Sequence, residues 1–358
     1  MKQGKSLVEL ATEIERQAKT KQDFVVGTGA LSVTVASPSN GREARLAIEG
    51  HGDFAIRPIA HDQIATRLKV PSVYYDRLLE EQPDEWARHV TERLHHANER
   101  RMVRTLDGAA RSFLSDRYHR RDNFELSEVL LPVLMGTPGL LFESAEITER
   151  RLYIKVVTDR LTGEVKRGDP VRAGAIISNS EVGSGSTSIQ ALIERLVCLN
   201  GMVVPDYSSK KYHVGKQVEE EGALESMYRD ETLRADDRAF WLKLRDVLQS
   251  VLNDVATFDR MVERMRKAAG ELIVGNPLKA VEVLGNKLAL SEGEQTSVLR
   301  LLIQGKDLSR YGLLNAVTQY AGADEVTSYD RATELETLGG RVLTLSDSEW
   351  KEVSEAAA

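Results

Sequence analysis

The sequence predicts an α+β protein: a mixed N-terminal domain with antiparallel strands and helices, followed by a helical C-terminal part that ends in a short strand. Three observations support this class. In the first 200 positions, apolar residues alternate in short runs separated by Gly, Pro, Asn and Asp, which is typical of antiparallel strands. From Thr232 onward they recur at steps of three and four, which is typical of helices. The length of 358 residues favours two domains.

The first elements follow from capping and periodicity. Ser6 precedes apolar residues at helical spacing, which predicts a short amphipathic helix over residues 6–19. Two strand-like runs then flank a Pro-Ser-Asn-Gly turn at 38–41, and three helices follow. The predicted ranges are 24–35 and 44–56 for the strands, and 60–68, 72–79 and 84–98 for the helices.

A β-hairpin is predicted around Asp107-Gly108. Apolar-rich runs flank this dipeptide on both sides, and Asp-Gly between two such runs is a strong short-range hairpin signal. The next helix is predicted to begin near Asp122, with Asp122 or Asn123 as its cap. The residues just before it would therefore join a strand to a helix, where free backbone N–H groups favour anions.

Three strands and a helix are predicted between residues 139 and 200. Residues 140–147 and 151–158 alternate as an antiparallel pair, 171–178 have the pattern of a buried strand, and 189–199 have helical spacing. Cys198 would lie on that helix among apolar neighbours with no histidine close in sequence. It is therefore predicted to be a buried core residue and not a nucleophile.

The chain is divided into a mixed domain over residues 1–205, a polar linker or loop over 206–223, and an acidic, mainly helical domain over 224–358. Within the last part, helices are predicted to begin at Asn276-Pro277 and at Ser291-Glu292. The final 50 residues are predicted to form two short helices and a closing strand.

An apolar seam with heptad-like spacing runs through the first part of the helical domain. Its length favours self-association into a homo-oligomer, and packing against later helices of the same chain explains the pattern equally well. The seam residues are Trp241, Leu244, Leu248, Val251, Val255, Phe258, Val262 and Met265.

Composition limits the class of partner. The net charge of −7 argues against a general polyanion binder, so any nucleic-acid surface must be a local patch. Residues 219–358 hold 26 acids and 17 bases, net −9, which leaves 29 acids and 31 bases, net +2, for residues 1–218. One cysteine excludes an internal disulfide, and no apolar run reaches the ~18 residues of a membrane span. A cytoplasmic location without membrane contact is expected.

Arginine is concentrated between Arg93 and Arg121, where eight arginines stand with three acids and no lysine. Planar cations interleaved with aromatic residues are typical of surfaces that bind phosphates and unstacked bases. The alternative is a solvated face that pairs with the abundant acids. The predicted contacts to nucleic acid in this stretch are Arg100, Arg101, Arg104, Arg111, Arg117, Tyr118, Arg120 and Arg121.

A glycine-rich turn after residue 178 has the position of a phosphate loop, between a predicted strand and a predicted helix. It matches neither nucleotide-binding fingerprint, because its pattern is G-x-G-x-x-S without a following lysine. Ser184 and Ser186 are still candidates to hold a backbone phosphate. A plain capped loop is the alternative. No metal site, cofactor site or catalytic constellation is predicted, since neither the histidines nor the carboxylates have the required spacing.

Several blocks resemble a phage- and plasmid-borne family of unknown function, usually labelled phage/plasmid-like protein. They are RTLDGAARSFLSDRYHRRDNFEL (104–126), TERRLYIKV (148–156), GDPVRAGAIISNSEVGSG (168–185), RLVCLNGM (195–202), YGLLNAVTQYA (311–321) and YDRATELETLGG (329–340). The resemblance implies a setting in bacterial mobile elements and no activity. The order of elements at 139–200 is more weakly similar to single-strand annealing proteins of phage recombination, although many unrelated folds share that order.

The sequence therefore predicts a non-enzymatic accessory of a phage or plasmid that binds or anneals single-stranded DNA. The alternative is an acidic host-interaction or DNA-mimic factor of a mobile element that does not bind DNA directly. An enzyme such as a nuclease is the third hypothesis.

Overall fold

A computed structural model describes residues 1–36, 42–204 and 230–357, apart from the side chains of residues 230–234. The described residues form twelve α-helices and eleven strands, which confirms the α+β class. The predicted turn at 38–41 and the predicted linker at 206–223 lie outside them. Helix α1 (Leu7–Thr20) begins at Ser6 with a capping box to Glu9, as the sequence predicts.

The first sheet has six strands in the order β1-β5-β6-β4-β3-β2. All neighbours are antiparallel except β4 and β6. Each of the two predicted runs before residue 57 is split into two strands. The strands are β1 (Gln22–Gly27), β2 (Leu31–Ala36), β3 (Glu43–Ile48), β4 (Gly52–Ile56), β5 (Arg100–Leu106) and β6 (Ala109–Ser115).

Three helices cover one face of the first sheet. They are α2 (Pro58–Arg67), α3 (Ser72–Glu81) and α4 (Pro83–Ala97), and each confirms a predicted helix. Trp86, Val90 and Leu94 on α4 are buried against Leu31 and Val33 of β2 in a core of their own. This sheet and its helices therefore form a layered unit.

The second sheet has five antiparallel strands in the order β11-β10-β9-β8-β7. It follows α5 (Asn123–Gly136). The N-cap position of this helix is Asp122, so the helix starts where the sequence predicts. The strands are β7 (Leu140–Ile147), β8 (Leu152–Glu164), β9 (Pro170–Asn179), β10 (Ser188–Arg195) and β11 (Asn200–Val203).

The predicted helix at 189–199 is wrong. Its first half is β10, which pairs with β9 from Ser188 to Arg195, and its second half is the turn into β11. Cys198 lies in that turn and is exposed, so the prediction of a buried cysteine is also wrong.

The remaining helices pack against the second sheet and against one another. They are α6 (Asp230–Asn253), α7 (Val255–Gly270), α8 (Pro277–Leu288), α9 (Glu292–Gly305), α10 (Arg310–Tyr320), α11 (Tyr329–Val342) and α12 (Asp347–Ser354). Asn276 and Ser291 cap α8 and α9, as predicted. The predicted closing strand is wrong, because the described chain ends in helices α11 and α12.

The hydrophobic cores do not follow the predicted boundary at residue 205. Ala175 and Ile177 of β9 share one core with Leu244 and Leu248 of α6. A second core joins the strand residues Ala173, Ile193 and Met202 to helices α7 to α12. The second sheet is therefore the common support of both predicted domains.

The apolar seam is buried within this one chain. The helix breaks at Asp254, whose side chain accepts from the backbone N–H of Thr257 and caps α7. The first four seam residues lie in one core and Phe258, Val262 and Met265 in the other, while Val255 at the break is exposed. The intramolecular alternative is thus the correct one, and the seam does not offer a surface for self-association.

Candidate nucleic-acid interface

The arginine-rich stretch is built on the predicted hairpin, which is confirmed. Asp107 and Gly108 have φ values of 52° and 75°, so both are left-handed, as the tight turn between twisted strands requires. Arg16 on α1 contacts the Asp107 carboxylate at 2.7 Å. The turn end of the hairpin is therefore fixed against the first helix.

Arg104 lies in the middle of β5, directly opposite Asp23 on β1, and has no solvent exposure. Its guanidinium donates to Asp23 at 2.8 Å, to Asp122 at 2.6 Å and to the carbonyl of Glu181 at 2.9 Å. Burial alone would lower the pKa of Arg104, but the carboxylates of Asp122 and Asp23 raise it above the ordinary value. The prediction that Arg104 contacts nucleic acid is wrong, because every one of these partners is internal.

Asp122 links this buried cation to α5. Asp122 is the N-cap residue of α5. Its carboxylate contacts both Arg104 and Lys21, so it does not accept a capping hydrogen bond from the first turn of the helix. Burial raises the pKa of Asp122, while Arg104 and then Lys21 lower it, and the net shift is downward. The charged form of Asp122 is therefore the form that the folded protein favours.

Two further predicted contacts are held within the protein. Arg111 on β6 pairs with the buried Glu181. Arg101 donates to Glu99 at 2.9 Å, and its guanidinium lies 5.9 Å from the centre of the Phe113 ring. Most of each side chain is buried and each guanidinium pairs with a carboxylate, so neither arginine belongs to the exposed cationic surface, and both predictions are corrected here.

The glycine-rich segment joins two strands, β9 and β10, and precedes no helix. The Arg151 guanidinium donates two hydrogen bonds to the carbonyl of Ser184, at 3.0 and 2.6 Å. Gly185 has φ 136°, and a Cβ there would lie 1.5 Å from that guanidinium. Ser186 follows in the same half-buried turn. The prediction of a phosphate site at a helix N-terminus is therefore wrong for Ser184 and Ser186.

This segment instead holds the loop at residues 116–121, which leads from β6 to α5. Asn179 donates to the carbonyl of Arg121 at 2.8 Å, and the Tyr118 hydroxyl donates to the carbonyl of Ser180 at 2.9 Å. The backbone N–H of Asn123 donates to Glu181 at 2.7 Å. The loop is thus anchored at its middle through the Tyr118 side chain and at its end through its backbone, by buried residues at the end of β9 and just after it.

Burial raises the pKa of the Tyr118 hydroxyl, which agrees with its role as an anchor of the loop. A partly buried ring with its hydroxyl engaged is a poor platform for base stacking. The predicted contact between Tyr118 and a nucleic-acid base is therefore replaced by a structural role.

The exposed arginines lie around the same end of the hairpin. Arg117 and Arg120 in the loop are exposed, as is Arg100 at the start of β5. The pairing of Arg101 with Ser115 brings the start of β5 next to the end of β6. Arg121 is half-buried, with its guanidinium 3.8 Å from the centre of the Phe240 ring. The cationic surface that remains consists of Arg100, Arg117 and Arg120, with part of Arg121.

Asp237 of helix α6 borders this surface. Burial raises the pKa of Asp237 on α6, while His119 and Arg121 of the loop lower it, and the net shift is upward. Asp237 is therefore close enough to the loop to weaken its positive potential. The cationic surface therefore has a carboxylate at its border.

Sequence reasoning missed the residues that hold this site together. Asp23, Asn179, Glu181 and Lys21 match no functional motif, and the fold brings them to the arginine-rich stretch from distant parts of the sequence. Among the described residues, no group of three or more His, Cys, Asp and Glu is arranged to hold a metal ion. None of the helices in the described ranges is both long and apolar enough to span a membrane.

Comparison with known proteins gives one match. A family model described as Domain of unknown function (DUF932) matches residues 110–224, about one third of the chain. The matched region begins in β6 and includes the loop at 116–121, α5 and the second sheet. No curated protein and no solved structure matches the chain. The chain thus contains a region similar to an uncharacterised domain family, and that region holds most of the candidate interface.

Proposed function

We propose that the protein binds single-stranded DNA, without an enzymatic step, through the loop at 116–121 and the start of β5. The observation that carries this proposal is that exposed arginines lie on a loop that buried residues hold in place. Arg117 and Arg120 are exposed on a loop whose neighbours Tyr118 and Arg121 are bonded to the buried residues Ser180 and Asn179. A preorganised loop loses little conformational entropy when it contacts phosphates.

The small number of exposed cations makes the proposed binding weak and strongly dependent on salt. Arg100, Arg117 and Arg120 account for two or three phosphate contacts, and each contact on a single strand adds roughly 0.7 to the slope of log affinity against log salt. The neighbouring Asp237 reduces the positive potential further. We therefore expect micromolar or weaker binding of short strands and little discrimination between sequences.

The setting of the proposed function is a phage or plasmid in a bacterial cytoplasm, which rests on the family resemblance of the sequence blocks. The element-order similarity to annealing proteins no longer supports annealing, since the helix it requires is strand β10. The proposal does not include self-association through the apolar seam, because seven of the eight seam residues are buried. The proposal is accordingly binding of single strands, and not pairing of complementary ones.

The test is binding of labelled single-stranded and duplex oligonucleotides, measured by fluorescence anisotropy between about 50 and about 200 mM salt. We expect saturable binding to single strands that weakens with salt, and no cleavage after magnesium is added. Absence of binding at low salt would contradict the proposal and favour the acidic host-interaction alternative. Cleavage with magnesium would favour an enzyme.

A further inference from the structure

A cavity of about 160 Å³ lies at the other end of the arginine hairpin, away from the loop at 116–121. It is open to solvent on one side, and its lining includes Gln17 of α1, Leu106 and Arg111 of the hairpin, Arg57 and Ile59 at the start of α2, and Glu149 in the turn between β7 and β8. This volume is below the ~300–1,000 Å³ of pockets that hold drug-sized ligands. The space suits a small group or the end of a larger molecule.

Two guanidinium groups line the cavity. Arg111 pairs with the buried Glu181 through one terminal nitrogen of its guanidinium, and its Nε is shielded from solvent. Arg57 is about half exposed and lies 3.6 Å from Glu149, which is also largely exposed. A loose pair of this kind contributes little to stability. Both arginines therefore have donor capacity for an anion inside the cavity.

The start of α2 adds backbone donors. Arg57 is the residue before the helix and gives no side-chain cap, and Pro58 is the first helical residue. The N–H of Arg57 itself is bonded to the carbonyl of Ala110 at 2.9 Å, which fixes the helix start on β6. The first-turn N–H groups of a helix without a side-chain cap lack protein acceptors, and the helix dipole favours a negative charge beside them.

Glu149 supplies a carboxylate to the lining of the cavity. Its carboxylate faces Arg57 from the opposite wall of the cavity, in a turn fixed by a hydrogen bond from the N–H of Thr148 to the carbonyl of Arg151 at 2.8 Å. An incoming anion with more charge and more acceptor oxygens would compete with this carboxylate for Arg57. Glu149 therefore has the position of a competitor and not of a ligand.

We propose that this cavity is a binding site for a phosphate monoester or inorganic phosphate, held by Arg57, Arg111 and the first turn of α2. A phosphate group fits the space, and a guanidinium group binds two of its tetrahedrally arranged oxygens through two parallel hydrogen bonds. Free phosphate and the terminal phosphate of a DNA strand share this chemistry. The site does not depend on the proposed DNA surface, since it shares none of the exposed arginines of that surface.

The test is titration calorimetry of the full chain with inorganic phosphate and with thymidine monophosphate in a phosphate-free buffer. We expect Arg57→Ala to weaken binding roughly tenfold, as loss of a charge-assisted contact predicts. Glu149→Gln should tighten binding about threefold or more, because it removes the competing charge. Arg150→Ala is the matched control, since Arg150 is exposed in the same turn outside the cavity wall, and it should change affinity less than about twofold.

The opposite signs expected for Arg57→Ala and Glu149→Gln separate the site from unfolding, which would weaken binding in both. No phosphate binding to the wild-type protein, no effect of Arg57→Ala, or weaker binding by Glu149→Gln would each overturn the proposal. Oligonucleotides with and without a 5′-phosphate distinguish the source. A preference for the phosphorylated strand that Arg57→Ala removes identifies a DNA end, and binding of free phosphate without that preference identifies a small molecule.

Discussion

Arg104 and Arg120 contact the same carboxylate, Asp23, in different surroundings. Arg104 lies 2.8 Å from it with no solvent exposure, whereas Arg120 lies 3.5 Å from it with half of its side chain exposed. The two arginines belong to one stretch of the sequence, and composition alone does not separate them. The comparison shows that a local concentration of arginine combines two roles, one in stability and one at the surface.

The difference arises from strand register. Arg104 is paired with Asp23 across β1 and β5, and opposite charges that face each other across strands stabilise the sheet. The carbonyl of Glu181, which follows β9, and the carboxylate of Asp122, which precedes α5, then contact Arg104. Arg120 follows the end of the hairpin, where no strand covers it. Burial therefore depends on partners that are distant in sequence.

The largest expected effect comes from Arg104→Ala. It leaves Asp23 and Asp122 buried without their main cation, and breaking a buried pair in this way costs about 3–5 kcal/mol of unfolding free energy. Urea unfolding measures this change. Arg120→Ala is the matched control, because it removes the second, exposed cation from the same Asp23 and should cost less than ~1 kcal/mol. Equal losses in the two variants would remove the distinction between buried and exposed arginines.

The next effect is a pH dependence due to Asp122. Its pKa is lower in the folded protein, so its ionised form adds stability that is complete above the unfolded-state pKa of ~3.9 and is lost as pH falls through the folded pKa. Asp122→Asn should therefore be less stable than the wild type at neutral pH, and the difference should shrink below about pH 4. Thermal unfolding of both proteins across this range measures it. A difference that stays constant with pH would contradict the assignment.

A smaller effect on stability is expected for Arg117→Ala combined with Arg120→Ala. Both side chains are exposed, and substitutions at such positions usually change the unfolding free energy by less than ~0.5 kcal/mol each. Urea unfolding should give nearly the wild-type midpoint. A large loss of stability would place these arginines with Arg104 among the structural residues.

The smallest effect is expected at Cys198. The side chain is exposed in the turn between β10 and β11, with a contact of 3.4 Å from Arg195 to its Sγ. Cys198→Ala should change stability by less than ~0.5 kcal/mol. An alkylating reagent should label the thiol of the native protein at the rate of an accessible cysteine. Protection of the thiol until the protein is unfolded would show that the turn is buried.

Local signals predicted the elements that depend on local chemistry. Asp107-Gly108 predicted the hairpin because its turn needs two left-handed residues, and Ser6, Asn276 and Ser291 predicted helix starts through their caps. The six-stranded order of the first sheet was not predicted, because it includes the parallel pair β4 and β6, which is distant in sequence.

The errors have a common physical cause. Residues 189–199 have apolar residues at helical spacing, but eight antiparallel pairs with β9 and burial in the second sheet outweigh that preference. Likewise, the environment of Arg104 is set by Asp23 and Asp122 through register and packing, which no local pattern reveals. The stretch that carries the candidate surface could therefore be predicted from sequence. Which of its arginines are buried and which are exposed could not.

The salt dependence of single-stranded DNA binding tests the central claim most directly, namely that only the exposed arginines contact phosphates. Affinity is measured over a salt series for the wild-type protein, for Arg117→Ala combined with Arg120→Ala, and for Arg160→Ala, an exposed arginine on β8 outside the surface. We expect the double variant to bind more weakly, with a slope reduced by roughly 1.4 for two lost contacts, and the control to match the wild type. A folded double variant with wild-type affinity and slope would contradict the claim.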